Sequence, residues 1–593
     1  GDCLENIKKN RGEEIGLEDL HADDPKVSKV YDLLSRGDTL GVFQLDSGGM
    51  QELLKRMKPT GFKDIVASLA LYRPGPMGVN AHWDYADRKN GRKEITPIHP
   101  ELEEPLKEIL DETYGLIVYQ EQIMRISQKV ANYTAGEADG FRKAMGKKKP
   151  EVLAQQYDKF WGGMQENGYS KSAMDALWGT IEPFASYAFN KSHAAGYGLV
   201  SFWTAYLKAY YAPEYMAALL TSVGDKKDKS AIYLSDCRHL GINVLPPSVN
   251  ESEEDFQAVG EDIRFGMGAI RNVGSEVVES IIKSRHDKGA FTSFGDYLDK
   301  IELTACTKRV TEALIKAGAF DDLNHPRKGL MLIHEDAVDA VQTTKKAADK
   351  GQFDLFAGIG GGEDNEVANA FAMDIPEDEW DRKHELALER EMLGLYVSGH
   401  PLDGFEEALA AQTDTPLTKI LNDEVRNGQE LIIGGIISGV DRRFSKRDGS
   451  PWAIVTVEDH NGAQVEILVF NKVYSLVAPQ IVEDNIILAR VNVKVRDERR
   501  SLFCSDIRVP ELGPGGGAGL PLRLTMRTDQ CTMENIARLK QVLVKNHGDS
   551  DVYLELVEGD QTTTMVLGEH LRVQRSGNLM GDLKATMGAG ILG

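Results

Sequence analysis

Cysteine is scarce in this 593-residue chain: there are five, and no two stand at CxxC spacing. That excludes a zinc ribbon, a CxxC redox pair and a disulfide framework, and it fits a reducing cytosol. Long hydrophobic runs are missing too. No stretch reaches about 18 uninterrupted apolar residues and the N-terminus has no apolar signal core, so neither a membrane span nor a secretory leader is expected. The most apolar helix candidate, Ala194–Tyr211, is broken by Ser201, Thr204 and Lys208 and reads as a buried helix. No Walker A loop and no HExxH pair occur. Basic charge is the minority sign: 69 Lys and Arg stand against 92 Asp and Glu, a net charge of −23. That sum argues against a surface coated for wrapping nucleic acid, though not against local basic patches. Position 1 is Gly rather than Met, which leads to the expectation of a true start upstream.

What is present is enough for about four domains. The first half reads as helical, with apolar residues at three- and four-residue spacing in Pro105–Asp111, Glu121–Ala131, Ala173–Phe184 and Ala194–Tyr211. The short apolar run Tyr114–Tyr119 is a candidate strand. Two helical units with glycine turns occupy 256–322, and a helix over about 326–349 leads into a Gly-rich acidic stretch from Gly351 to Asp374. The period then becomes alternating. Leu431–Val440, Trp452–Val457, Gln464–Phe470, Asn485–Val495 and Leu502–Val509 predict five strands, with a helix at Lys472–Ala478, which fits a small barrel of the OB type. A glycine-rich linker at 513–519 precedes a last βαβ-like segment.

The densest basic cluster runs from Arg142 through Lys143, Lys147 and Lys148 to Lys149. On composition alone it reads first as a solvated helix end whose cations complement the dipole, and it is also suited to holding phosphates. In Phe189-Asn190-Lys191-Ser192-His193, Ser192 is the expected N-cap. That places Lys191 and His193 at a helix N-terminus, where an anion such as a triphosphate is favoured; a capped core helix is the alternative. Val273-Gly274-Ser275 before an apolar-periodic helix is a helix-hairpin-helix pattern, whose hairpin backbone can approach a DNA phosphate; Lys308–Phe320 is its candidate partner. Gln352, Leu355 and Phe356 form a Q-x-x-L-F string that can anchor in a partner's apolar pocket or dock on this protein's own surface. Arg442, Arg443 and Lys446 flank Phe444 in the barrel's first hairpin, a composition suited to single strands or to a plain solvated tip. The tightest candidate for a two-metal centre, Asp549-Ser550-Asp551, reads as a polar turn.

Together these residues resemble the bacterial DNA polymerase III α-subunit family, the family C replicative polymerases. The resemblance rests on Gly41–Met50, Leu71–Pro76, Thr113–Gly115 with Tyr119–Gln122, Phe141–Pro150, Phe189–His193, Glu389–Tyr396 and Ser398–Pro401. It implies a multidomain α+β chain: the end of the palm (1–24), mainly helical fingers (25–255), a tandem helix-hairpin-helix (256–325), a clamp-binding region and linker (326–428), a five-stranded OB-fold barrel (429–512) and a small α/β C-terminal domain (520–593). It implies nucleotide binding by Arg142, Lys143, Lys191 and His193. DNA contacts are implied for Lys147, Lys148, Lys149, Val273, Gly274, Ser275, Arg442, Arg443 and Lys446, and sliding-clamp binding for Gln352, Leu355 and Phe356.

In that family the catalytic aspartates lie in palm motifs, Pro-Asp-x-Asp and Asp-Phe-Leu-Gly-Leu, and neither string occurs here. The expectation is therefore a fingers-to-C-terminus portion of a DNA-directed DNA polymerase with no catalytic or metal-binding residue of its own, inactive alone. Mg²⁺ would be held by palm residues outside it. Implied partners are primer-template DNA, dNTP and the sliding clamp (β subunit), with the clamp-loader tau subunit a further candidate; the implied location is cytoplasmic, with the nucleoid. The alternative is a non-catalytic DNA- and sliding-clamp-binding adaptor.

Overall fold

Helical periodicity in the first 215 residues is realised as a run of short helices in the computed structural model. The structure describes residues 1–147, 150–185, 189–224, 227–349, 374–394, 396–403, 405–421, 425–445, 448–460, 463–496, 499–510, 522–558 and 561–573, with isolated positions beyond. The chain divides into two compact units, Glu13–Tyr215 and a second made of Gly1–Gly12 with Met216–Gly593.

Within Glu13–Tyr215 two apolar cores form. One gathers Leu33, Leu54, Ile65 and Val66 from the N-terminal helices around Phe202 and Ala205 of the Lys191–Tyr210 helix. The other packs Ile123, Ile126, Phe141, Phe160, Leu177 and Trp178. Phe141, Phe160 and Trp178 meet with ring centroids 5.5 to 6.0 Å apart. Gly163 permits one close crossing: a Cβ there would stand 2.0 Å from the Ala131 carbonyl oxygen, so the Pro150–Glu166 helix passes the end of the Gln120–Ala131 helix only because the side chain is missing.

The apolar run Tyr114–Tyr119 is not a strand. Tyr114 and Gly115 have φ of 54° and 79°, which turn the chain. The backbone groups that a sheet would have paired are taken by the buried Gln122 instead. Its Oε1 accepts the Val118 and Tyr119 amides at 2.8 and 3.0 Å, and its Nε2 donates to the Ile109 carbonyl and to Thr113 Oγ1. Ser192 is not the N-cap of the following helix. Asn190 is, with its Oδ1 accepting the His193 amide at 2.8 Å, so the helix starts at Lys191.

In the second unit a small sheet absent from the sequence reading precedes the hairpins: β1 (Val244–Leu245), β2 (Gln257–Val259) and β3 (Asp262–Arg264), in the order β1-β3-β2. The helices Ser275–Lys288, Phe294–Lys300, Lys308–Lys316 and Arg327–Asp349 follow, and later Arg382–Leu393, which the sequence reading did not foresee. Arg327 ties two of these parts together. Its buried guanidinium donates to both Asp321 oxygens at 2.9 and 2.6 Å and faces Glu389 Oε2 at 3.5 Å, while Glu389 Oε1 accepts the Val397 and Ser398 amides. Burial alone would lower the Arg327 pKa, but the carboxylates raise it. Arg327→Ala leaves Glu389 buried without its counter-ion and is expected to destabilise this unit by about 3–5 kcal/mol, read as a lower urea midpoint. An unchanged midpoint would show the pair to be dispensable.

Five strands, β4 (Glu430–Phe444), β5 (Pro451–Glu458), β6 (Gln464–Val469), β7 (Ile486–Arg496) and β8 (Arg499–Arg508), close a barrel in the order β4-β5-β6-β8-β7. The β4–β7 pairing completes it, and a helix, Asn471–Val477, follows β6. Inward residues alternate, as with Ala453, Val455 and Val457 of β5. Strand β4 runs four residues past Val440, so Arg442, Arg443 and Phe444 lie on a strand and not in a hairpin loop. The last segment is a βαβ unit: β9 (Leu522–Arg527) pairs in parallel with β11 (Val552–Glu558) across the helix Met533–Lys545, and β12 (Gln561–Val566) adds antiparallel. Asp549–Asp551 is not a free turn. It ends the short strand β10 (His547–Ser550), and Arg572 holds the Asp551 carboxylate at 2.7 Å. Among the described residues no helix is long and apolar enough to cross a membrane.

Candidate functional site

A single parallel bridge between Tyr119 and Phe189, with the Gln120 amide donating to the Phe189 carbonyl at 2.9 Å, sets two helix N-termini side by side. They belong to the helices Gln120–Ala131 and Lys191–Tyr210. Glu121 stitches them together: its Oε1 accepts from Asn190 Nδ2 at 2.8 Å and its Oε2 from the Lys191 amide at 2.9 Å. The amides of Lys191 and His193 are thus already engaged, and anion binding here falls to side chains. Lys191 Nζ reaches both Glu112 oxygens at 2.8 and 2.7 Å. The His193 ring is exposed, 5.5 Å from Phe189 and 4.5 Å from Tyr197, and Tyr197 in turn stacks on Phe43 at 5.8 Å.

Arg142 enters the same junction because Phe141, its neighbour, is anchored in the second core. Its Nη1 donates to Gln120 Oε1 at 3.2 Å, and its Nε and Nη2 donate to Asp139 Oδ1 at 3.1 and 2.8 Å. Lys143 binds the other Asp139 oxygen at 2.6 Å. Hydrogen bonds from Lys143 and Arg142 hold the Asp139 carboxyl below its ordinary range. A further cation, which the sequence reading named only within the Leu71–Pro76 string, stands at the same ring: Arg73 lies 4.0 Å over the Phe189 ring, and its Nε and Nη2 donate to the Ala70 carbonyl. Burial pushes the Arg73 guanidinium pKa down from its usual value. Two signals pointed to this group: an Arg immediately before Pro-Gly-Pro, and rings at 193 and 197 on one helical face with Phe189 just before the helix cap.

Arg142, Lys191 and His193 are therefore brought together with Arg73, and Lys143 stands beside them on its own helix. Lys147 ends that helix, Ala135–Lys147, while Lys148 and Lys149 lie outside the described residues. Oriented cations with aromatic faces suit a nucleotide's phosphates and base. The carboxylates at this junction do not fit a pair of divalent ions, since Asp139, Glu112 and Glu121 are each committed to a cation or an amide.

At the hairpins, Gly274 caps the Ser275–Lys288 helix, and no atom lies within 4 Å of where its Cβ would be. Asn272, at φ 69°, turns the chain just before it, and Val273 is buried beneath. Arg309 Nη2 donates to Asn272 Oδ1 at 2.6 Å, joining the start of the Lys308–Lys316 helix to this turn.

On the barrel the sequence reading identified cations but missed the rings beside them. Trp452, Phe470 and Phe503 form a stack, with centroids 5.2 and 5.7 Å apart and planes 22° and 26° from parallel. Arg443, directly across the β4–β5 ladder from Trp452, covers one end at 5.5 Å, and Lys494 covers Phe503 at 4.5 Å. Arg442 donates to the Ile481 carbonyl at 2.9 Å, which fixes it beside the ladder. Lys446, like Gln352, Leu355 and Phe356, lies outside the described residues.

Comparison with known proteins agrees with this layout. Residues 1–168 match the bacterial DNA polymerase III alpha subunit finger domain, 241–330 a helix-hairpin-helix motif and 431–510 an OB-fold nucleic acid binding domain. The chain is 57% identical over 596 residues to a DNA polymerase III subunit alpha of Mycobacterium tuberculosis, covering all of this chain and 50% of the relative. It is 58% identical over 593 residues to that of Mycobacterium leprae, again 100% of this chain and 50% of the relative. Against the Thermus aquaticus protein of the same name the identity is 38% over 558 residues, 93% of this chain and 44% of the relative. The chain spans about half the length of the curated relatives it matches.

Proposed function

The chain belongs to the bacterial DNA polymerase III α-subunit family, and we propose on that basis that it is the part of a replicative DNA polymerase that grips the incoming nucleotide and the DNA. The reaction is template-directed addition of a dNTP to a primer 3′-hydroxyl. The observation that carries this reading is the junction at Tyr119 and Phe189, to which Arg142 is tied through Gln120 and Arg73 through the Phe189 ring, with Lys191 and His193 opening the adjoining helix. There Arg142, aimed by Gln120 and Asp139, binds phosphate oxygens through its fork of donors. His193 and Tyr197 offer ring faces to the sugar or base. The hairpins at Gly274 and Arg309 hold duplex phosphates, and the barrel's aromatic stack holds single-stranded template.

Divalent metal is supplied by carboxylates other than those at this junction, so no chemical step is assigned to residues of this stretch. Primer extension with Mg²⁺ by this chain alone is expected to yield no product, while the full-length α subunit extends the primer. Template-dependent synthesis by the chain alone would overturn that division.

The fingers reading extends over 25–255, and the clamp-binding reading centres on Gln352, Leu355 and Phe356. Leu355→Ala with Phe356→Ala is expected to abolish sliding-clamp binding in a titration, because both apolar anchors are removed at once. Retained affinity would refute the motif.

A further inference from the structure

Asp403, Glu406 and His460 bring one donor atom each to a single point, all three within 4.8 Å of one another. His460 stands just after β5, and Asp403 and Glu406 flank the start of the short helix Glu406–Ala410. His460 Nε2 lies 2.8 Å from Asp403 Oδ1 and 3.2 Å from Glu406 Oε1. Donor atoms each bound at about 2.1 Å to one ion stand roughly 3.0–3.4 Å apart, so small side-chain shifts suffice to admit an ion.

Two buried atoms beside this point have no hydrogen-bond partner among the described residues. Glu406 Oε2 is buried and has no hydrogen-bond partner among the described residues, and a carboxylate oxygen in that state is costly. His400, its side chain only 6% exposed, packs its ring against that of His460 with centroids 5.7 Å apart, and its amide donates to Asp403 Oδ2 at 2.6 Å. Its Nδ1 accepts the Leu402 amide at 3.2 Å, which assigns the ring proton to Nε2. That Nε2 also lacks a hydrogen-bond partner among the described residues. Glu458 Oε1, at 3.9 Å, is beyond hydrogen-bond reach and at a separation that a water bridges.

We propose that Asp403, Glu406 and His460 form a structural site for one divalent transition-metal ion of the Zn²⁺ or Mn²⁺ class, with His400 donating to a water on that ion. One imidazole and two carboxylates suit such borderline ions, where thiolates or an all-oxygen cage would select others. The ion fastens the segment before the barrel to the end of β5, putting coordination in place of the direct His460–Asp403 and His460–Glu406 contacts. The inference does not depend on the polymerase reading.

The test titrates chelator-stripped full chain with Zn²⁺ and, separately, Mn²⁺, by calorimetry and by electron paramagnetic resonance for Mn²⁺. One site per chain is expected for at least one ion. His460→Gln and Glu406→Gln should each weaken it beyond the roughly 10- to 100-fold that loss of an outer-shell partner produces. The ion should raise the thermal midpoint of the stripped wild type and leave that of His460→Gln unmoved. Circular dichroism of both metal-free variants is expected to match stripped wild type; should one not fold, the other carries the comparison. Absence of a stoichiometric site for both ions overturns the proposal. So does a site that persists unweakened in a folded variant, which places the ion elsewhere.

Discussion

Arg142→Ala in the full-length α subunit is expected to lower kcat/KM for dNTP about 10- to 100-fold, with DNA affinity little changed, since each charge-assisted hydrogen bond contributes about 1.5–3 kcal/mol. The effect should fall chiefly on KM, because phosphate binding precedes and persists through the transition state. The geometry gives the prediction a finer edge. Arg142 is held by Gln120 on one side and Asp139 on the other, so its fork is aimed before any nucleotide arrives. Arg142→Lys keeps the charge but loses the fork, and its activity should lie between those of the wild type and Arg142→Ala. Gln120→Ala should act in the same direction and more weakly, by releasing one of the two supports. If Arg142 is only a solvated partner of Asp139, all three variants will show the wild-type nucleotide dependence in steady-state kinetics. That result would remove Arg142 from the nucleotide site.

The second large effect is expected on the barrel. Replacing Trp452 or Phe470 by Ala should weaken binding of a short single-stranded oligonucleotide about 5- to 150-fold each, since stacking a base on a ring is worth roughly 1–3 kcal/mol. The stack is continuous, so removing Phe470 from its middle also uncouples Trp452 from Phe503. Salt separates rings from charges. The ring variants should keep the wild-type slope of log affinity against log salt, while Arg443→Ala and Lys494→Ala should each reduce it by about 0.7. Fluorescence anisotropy across a salt series measures both. Equal affinities for wild type and both ring variants would exclude the stack as a binding surface.

The barrel's strands could be read from sequence because one face of each is buried, which imposes apolar alternation such as Ala453, Val455 and Val457. The stack could not be read, because Trp452, Phe470 and Phe503 sit on or beside three different strands and meet only when β6 pairs with β8. Among the helices, spacing located the Lys191–Tyr210 element but misjudged its cap. Ser192 and Asn190 are both good caps, and Glu121, 69 residues away, selects Asn190 by accepting from its amide nitrogen. Tyr114–Tyr119 has the composition of a strand, and the side chains of Gln122, Thr113 and Arg88 satisfy its backbone along a different path. Arg73 was visible as a residue and not as a site, since its role follows from Phe189, far along the chain. Local pattern thus foretold the barrel strands and the longer helices named above but not the small β1-β3-β2 sheet or the Arg382–Leu393 helix, and distant pairings determined what stands next to what.

The Tyr119–Phe189 bridge has a mechanical consequence. It is a joint between two cores: the lobe built around Phe141, Phe160 and Trp178, which also takes in Leu106 and Ile109 from before the bridge, meets the N-terminal core there. Arg142 rides on that lobe, whereas Arg73 and His193 belong to the side that the lobe meets. The placing of Arg142 relative to that pair is therefore set by how the lobe is seated at the bridge, and not by its own helix alone.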